Sequence, residues 1–327
     1  PTLSVSAPQS PVGWRAMTKS FLLHGALIAA LIIAGLVLPA YHQGNLARIL
    51  VLATYAIGYN VLFGYTGLLS LGHAMFFGAG MYGLGLAMQH GGMPALPAFA
   101  LGLLAAAALS SVVALLALRT IGVAFMIVTL MFAQSVFLTV LYFGEWTRGD
   151  EGFVLQQATR QIAGLDLTDP LIRYYAALTL FTIALVITAR MMQVRFGHIL
   201  IAIRENEERT RMLGYNTQAH KFAALVISGT LSGAAGAAYA LLFGYVGATF
   251  TSVQYSIFPL LWVLLGGAGT TIGPFIGTLF MFYLIDISSG VTNAYLMIVG
   301  IVLVLLTLFA RAGIMGEVRK RIAPWLP

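Results

Sequence analysis

Apolar runs long enough to span a bilayer follow one another along nearly the whole chain, separated by short polar breaks. Crossing roughly 30 Å of hydrocarbon takes about 20 apolar residues in a helix. The pattern predicts ten crossings, centred on 21–40, 47–63, 68–88, 95–117, 121–143, 171–190, 220–242, 252–267, 272–290 and 294–311. A transmembrane β-barrel would instead alternate apolar and polar residues over segments of roughly ten residues, and these runs are continuous. The expected fold is therefore all-α, a polytopic transmembrane helical bundle with broken helices. The eighth run is the weakest, because Gln254, Ser256 and Pro259 interrupt its start. The first carries no convincing signal-peptide cleavage site and is read as a retained span.

Composition agrees with lipid as the main solvent: 60% of the 327 residues are hydrophobic and 8% are charged. The few charges are unevenly placed. With the N-terminus inside, Arg15, Lys19, Arg119, Arg190, Arg195, Arg204, Arg209, Arg211, Lys221, Arg311, Arg319, Lys320 and Arg321 fall on the cytoplasmic side, 13 in all. Arg48, Arg148, Arg160 and Arg173, 4 residues, fall outside. This positive-inside bias puts both termini in the cytoplasm and makes the net charge of +7 a matter of topology, not of nucleic-acid binding. The expected organisation is a cytoplasmic segment 1–20, a transmembrane domain 21–312 and a basic cytoplasmic tail 313–327. Cysteine is absent, which removes disulfides and thiolate metal sites.

Glycine is placed where apolar runs break. Gly64-Tyr65-Thr66-Gly67-Leu68-Leu69-Ser70-Leu71-Gly72-His73 joins runs two and three, and Gly266-Gly267-Ala268-Gly269-Thr270-Thr271-Ile272-Gly273-Pro274 joins runs eight and nine. Irregular backbone near membrane depth is tolerated only when buried in protein or lining a watery path. Two such breaks in corresponding halves point to an inverted-repeat transporter and mark Gly67, Ser70, Gly72, His73, Gly269, Thr270 and Gly273 as candidate path residues. His73 reads equally as a packed, hydrogen-bonded histidine, and His24 has no evident partner. Gly229, Gly233 and Gly236, at three- and four-residue spacing, suit close helix packing.

Two polar connectors stand out. The outer one, 144–169, carries Glu145, Asp150, Glu151, Asp166 and Asp169 against Arg148 and Arg160, and reads as a solvated connector or as a docking surface. The inner one, within 191–219, contains Arg204-Glu205-Asn206-Glu207-Glu208-Arg209-Thr210-Arg211. On one helix, Glu205 would pair with Arg209 and Glu207 with Arg211, each pair adding a few tenths of a kcal/mol. Gly214 would end that helix in a left-handed turn. A rigid surface helix between spans is a place where force can enter a transporter.

The motifs of an engine are missing. None of the three lysines, Lys19, Lys221 and Lys320, follows a glycine, so no phosphate-binding loop is present, and neither a metalloprotease nor a serine-hydrolase motif occurs. Asp286 is the one acidic residue within an expected span; it reads as an interfacial residue reaching water or as a proton-coupling site.

Three blocks now carry a resemblance: Thr66-Gly67-Leu68-Leu69-Ser70-Leu71-Gly72-His73-Ala74-Met75-Phe76-Phe77-Gly78, Ala202-Ile203-Arg204-Glu205-Asn206-Glu207 with Leu213-Gly214-Tyr215, and Leu265 through Pro274. In this order, and across roughly 45–315, the chain resembles the LivM-type permease, the membrane subunit of branched-chain amino-acid ABC importers. The resemblance implies a bacterial inner-membrane importer of two related permeases, two ATP-binding cassette subunits that bind ATP-Mg, and a periplasmic solute-binding protein, with no cofactor or metal in this chain. Arg204, Glu205, Asn206, Glu207, Arg209 and Gly214 would belong to the element that docks on an ATPase, and Arg148, Asp150 and Glu151 to the surface that receives the binding protein. Relatives often have Thr-Gly-Gly where this chain has Thr147-Arg148-Gly149. The family includes importers of urea, amides and aromatic acids, so the solute stays open. The alternatives from other classes are an ion-coupled secondary transporter using Asp286 and a passive channel or purely structural membrane subunit.

Overall fold

A computed structural model describes residues 14–162, 164–292, 294–309 and 312–321. Part of the expected N-terminal segment (1–13), Arg311 and the end of the tail (322–327) lie outside the described residues. The chain is a helical bundle. Its first part comprises α1 (Trp14–Val37), α2 (Ala40–Asn60), α3 (His73–Gln89), α4 (Ala95–Ala117), α5 (Val123–Tyr142), the short α6 (Gly144–Thr147) and α7 (Pro170–Gln193). Two surface helices follow, α8 (Arg195–Glu205) and α9 (Glu207–Met212). Then come α10 (Thr217–Phe243), α11 (Val253–Gly266), α12 (Gly273–Val291), α13 (Tyr295–Phe309) and α14 (Gly313–Arg321). Four two-residue strands decorate one end: β1 (Phe153–Val154), β2 (Gln161–Ile162), β3 (Leu165–Asp166) and β4 (Tyr245–Val246), paired antiparallel as β1–β4 and β2–β3.

A helix stands at each of the ten apolar runs. Among the described residues, six units are long and apolar enough to cross a membrane: Ala40–Tyr65, α4, α5, α7, α10 and α12. α11, at 14 residues, is only about 21 Å long at 1.5 Å per residue, short of the hydrocarbon thickness. Its Pro259 cannot donate to the carbonyl one turn back, that of Tyr255, and the Tyr55 hydroxyl donates there instead at 3.4 Å. α1 begins at Trp14, inside the segment expected to precede the first span.

Hydropathy makes all these helices alike, but their surroundings differ. In the most apolar windows of Ala40–Tyr65 and α10, 83% and 72% of residues are buried, against 28% in α4 and 22% in α5. So α2 and α10 form the centre, α3 and α4 pack on α10, and α7 and the α11–α12 pair flank α2. The centre closes through small residues. A Cβ at Gly236 would sit 1.9 Å from the carbonyl oxygen of Phe77, and one at Gly80 would sit 1.9 Å from that of Gly233. The glycine spacing read as close packing therefore serves two neighbours: Gly236 meets the backbone of α3, while Gly229 and Gly233 lie closest to Ser110 and Ala106 of α4, with dispersion contacts replacing the hydrophobic drive that lipid cannot supply.

The connectors sort into two ends. At the loop end, β1–β4 pairing ties the 144–169 connector to the turn after α10. Arg160, 7% exposed, donates from Nε to Leu241 O at 2.7 Å and from Nη2 to Leu242 O. It thereby satisfies carbonyls that the C-terminus of α10 would otherwise leave unpaired. Gly244, which ends α10 at φ 75°, leaves room for that guanidinium: a Cβ there would lie 2.5 Å from Nη1. Replacing Arg160 with alanine is expected to cost about 1–3 kcal/mol through the orphaned carbonyls. Faster protease cleavage of the 150–168 segment than in wild type would register it, and unchanged cleavage would contradict the latch.

Candidate functional site

At the opposite end, the three sequence blocks converge. α2 loosens at its C-terminus into a π-helical turn, Val61–Tyr65, a feature frequent at functional sites. Buried Asn60 stands at that transition. Its Nδ2 donates to Thr270 O at 2.9 Å, and its Oδ1 accepts from Gly269 N at 2.9 Å. One amide thus clamps the second glycine break onto the first. Arg204, at the end of α8, reaches in from the surface: its Nη1 donates to Gly64 O, an end carbonyl of the π-turn, and its stem packs over Gly67. Gly269, at φ 78°, leaves no room for a side chain beside that same guanidinium.

Around this junction the breaks hold themselves together. Thr270 Oγ1 donates to Gly267 O at 2.7 Å and accepts from Gly273 N at 3.2 Å, capping the start of α12. His24 finds its partner here, Nε2 to Thr271 Oγ1 at 2.8 Å. α14 folds back onto Gly267, so this part of the expected tail is a docked helix. In the first break, Ser70 Oγ accepts from Gly72 N at 3.2 Å and Ser70 O accepts from Tyr59 OH at 2.9 Å. Gly72 presses on α5, where a Cβ would lie 2.2 Å from Thr129 O.

His73 is fully buried, with Nε2 2.8 Å from Ser228 Oγ. Ser228 donates its own hydrogen to Gly58 O at 2.6 Å, so the histidine must donate from Nε2, leaving Nδ1 as a buried acceptor without a partner. Of the seven expected path residues, Gly67 is exposed, while Ser70, Gly72, His73, Thr270 and Gly273 are buried. Gly269 is part-buried.

The charged element between α7 and α10 differs from the single helix expected. Asn206, at φ −161° and ψ 102°, breaks it, and its side chain caps α9 by accepting from Arg209 N at 2.9 Å. An asparagine in that role competes with the helical ladder of its neighbours. Glu205 and Arg209 therefore lie on either side of the break, and no ion pair joins them among the described residues. Glu207 pairs with Arg211 at 3.3 Å, as expected, but its closer partner is Lys221 Nζ at 2.7 Å, with Thr217 Oγ1 at 3.2 Å. Burial alone would raise the Glu207 carboxyl; the hydrogen bond and charge of Lys221, helped by Thr217 and Arg211, outweigh it and hold it below the usual range. Lys221 is 2% exposed, so this pair staples α9 to the base of α10. Gly214 ends the element at φ 89° as expected. The outer face of the tip presents Met212, Leu213 and Tyr215, 85%, 72% and 46% exposed, beside Glu208 and Arg209.

At the loop end, Arg148, Asp150 and Glu151 share one exposed turn, backed by Tyr245 OH donating to Glu151 O at 3.0 Å. Arg148 has φ 61°, a left-handed conformation that suits glycine and asks about 1–2 kcal/mol of other residues.

Sequence reasoning passed over Asn60, although an amide inside an otherwise apolar run was a signal for it. It also passed over an aromatic cavity of about 280 Å³ in the loop-end half, lined by residues of α2, α10, α11 and α12. Single-helix periodicity does not show which faces meet across helices.

Residues 41–309 match the family described as branched-chain amino acid transport system, permease component. The chain is 26% identical over 289 residues to the high-affinity branched-chain amino acid transport system permease protein LivM of Escherichia coli strain K12, covering 81% of this chain and 68% of that relative. The LivM protein of Salmonella typhimurium shows the same identity and coverage. A probable LivM permease of Methanocaldococcus jannaschii is 33% identical over 91 residues, 28% of this chain and 26% of that protein. No solved structure matches the chain. The blocks that meet at Asn60 and Arg204, the multi-pass helical architecture and the match across 41–309 agree: this chain belongs to the family of LivM-type branched-chain amino acid transport permeases.

Proposed function

We propose that this chain is one permease subunit of an ABC importer for branched-chain or related amino acids in a bacterial inner membrane, with both termini cytoplasmic. Its partners would be a second, related permease, two ATP-binding subunits carrying ATP-Mg, and a periplasmic binding protein. The observation that carries the reading is Arg204, which links the exposed α8–α9 element to both glycine breaks. An ATPase docking on Met212, Leu213 and Tyr215 would push on α9. The push has two routes inward: through Arg204 to the path junction, and through Glu207–Lys221 to α10.

α10 extends the second route. Its 27 residues span about 40 Å at 1.5 Å per residue, and Arg160 and β4 fasten its far end to the outer loop. One rod would thus join the ATPase face to the binding-protein face, where Arg148, Asp150 and Glu151 offer charged contacts. The reading supports ATP-driven import with hydrolysis in the partner subunit.

Gentle extraction of the tagged chain from its native membrane, followed by mass spectrometry, tests the assembly. A second permease and ATP-binding subunits in stoichiometric amounts are expected, and isolation of the chain alone would contradict the reading. Replacing Met212 and Leu213 with aspartate is expected to release the ATP-binding subunits from an otherwise intact chain; their retention would move the docking face elsewhere.

A further inference from the structure

The cavity in the loop-end half has a distinct chemistry. Its wall is almost wholly aromatic and aliphatic: Tyr239 from α10, Phe250 from the turn after it, Tyr255, Phe258 and Trp262 from α11, and Leu52, Phe282 and Ile285 among their neighbours. The rings pack into a continuous surface, with centroids 4.9 Å apart for Tyr239–Phe250, 5.1 Å for Phe250–Tyr255 and 5.9 Å for Phe258–Trp262. At about 280 Å³ the space sits at the lower edge of the ~300–1,000 Å³ of small-molecule sites.

Three polar groups face this wall unspent or nearly so. No hydrogen bond of the Tyr239 or Tyr255 hydroxyl is seen among the described residues. Asp286, from α12, is the only charged residue in the lining. It is part-buried, no basic side chain pairs with it among the described residues, and its one hydrogen bond is a long 3.4 Å contact from the exposed hydroxyl of Tyr41. By contrast, the hydroxyl of Thr278 is already bound to Pro274 O. A part-buried carboxylate without a cation, set beside ring faces that attract cations, asks for a positively charged guest. The aliphatic remainder of the wall asks for an apolar body.

We propose that this cavity is a solute-binding site of the permease itself, and that it selects small solutes carrying a protonated amine on an apolar body, with Asp286 receiving the ammonium. The proposal rests on the permease reading and narrows it: aliphatic amino acids fit, while apolar carboxylic acids without an amine, and urea, do not. Arg48 stands one turn nearer the loop end than Leu52 on the same face of α2, and lies 5.2 Å over the ring of Phe243. A solute carboxylate left at the mouth would meet that guanidinium, so a zwitterion would be accommodated, whereas a bare acid would leave Asp286 without its cation.

The test is direct binding to the full-length chain in lipid nanodiscs, read by calorimetry, with leucine, isoamylamine (leucine without its carboxylate), isocaproate (leucine without its amine) and urea as probes. Leucine and isoamylamine are expected to bind at least about tenfold more tightly than isocaproate, the scale of one charge-assisted hydrogen bond. Asp286→Asn is expected to erase that preference, and Asp286→Glu to retain it. Equal binding of isoamylamine and isocaproate, a preference that survives Asp286→Asn, or no binding of any probe overturns the proposal. ATP-driven uptake by the purified complex is a separate readout. A complex that transports while its permease ignores amines keeps the importer reading and discards the cavity as a selective site.

Discussion

Gly236→Leu is expected to abolish the folded protein. The Cβ of any residue at 236 would stand 1.9 Å from Phe77 O and 2.7 Å from Phe77 C, and these are backbone atoms that no rotamer change can move. α3 and α10 would have to part, and the seam they form lies at the centre of the bundle. Overpacking a core by a methylene or two costs about 1–3 kcal/mol, and a separation of central helices exceeds that. Gly236→Ala already introduces the clash, and leucine adds bulk with no space to receive it. Gly25→Ala in α1 is the control, because nothing lies within 4 Å of a Cβ there. Alanine in a helix interior is favoured over glycine by up to about 1 kcal/mol, so this variant is expected to be neutral or slightly stabilised. Size-exclusion profiles and thermal unfolding in detergent check both. A Gly236→Leu protein with wild-type stability would contradict the packing described for the centre.

Arg204→Ala is expected to separate docking from transport. The side chain caps Gly64 O at the end of the π-turn and packs over Gly67, while the Met212–Leu213 tip faces away from the bundle. Losing the guanidinium leaves a helix-end carbonyl without its donor and frees α8 from both breaks. A hydrogen bond to a charged group is worth about 1.5–3 kcal/mol, so a loss of coupling of about tenfold or more is expected in ATP-driven uptake. The ATP-binding subunits are expected to stay bound, because the tip is untouched. Arg204→Lys keeps the charge but loses the planar fork, and is expected to recover part of the rate. Loss of the ATP-binding subunits from Arg204→Ala, or full uptake by that variant, would contradict the linkage.

Much of this was legible in the sequence, for a definite reason. Lipid demands that every backbone polar group be satisfied within its segment, so helix positions follow from hydropathy, and a helix stands at each predicted run. The glycine breaks and the charged element between α7 and α10 were equally visible, because polar and conformationally free residues are conspicuous in an apolar chain. Which helices are central was not visible. α4 and α10 are both apolar along their length, yet one faces outward over most of its surface and the other is enclosed. Hydropathy cannot separate core from lipid when both are apolar; the glycines of α10 could, and did so in part.

The finer errors share a cause as well. Spacing of four residues predicted Glu205–Arg209 and Glu207–Arg211 as equivalent pairs. The cap at Asn206 cut the first and left the second, and the stronger partner, Lys221, came from 14 residues away. Arg204, expected in the element that docks on an ATPase, is exposed and also donates to Gly64 O at the first break, a contact that sequence spacing does not show. The aromatic wall was hidden for a related reason, since Tyr239, Tyr255 and Phe282 come together only once α10, α11 and α12 have packed.

The central claim is that ATP bound by partner subunits moves solute through this chain. Uptake of labelled leucine into proteoliposomes tests it most directly, using the complex purified through this chain together with its binding protein. The account predicts accumulation that requires ATP at the nucleotide-binding face and persists when ionophores collapse the proton and sodium gradients. Accumulation by this chain alone, driven by such a gradient without ATP, would contradict it.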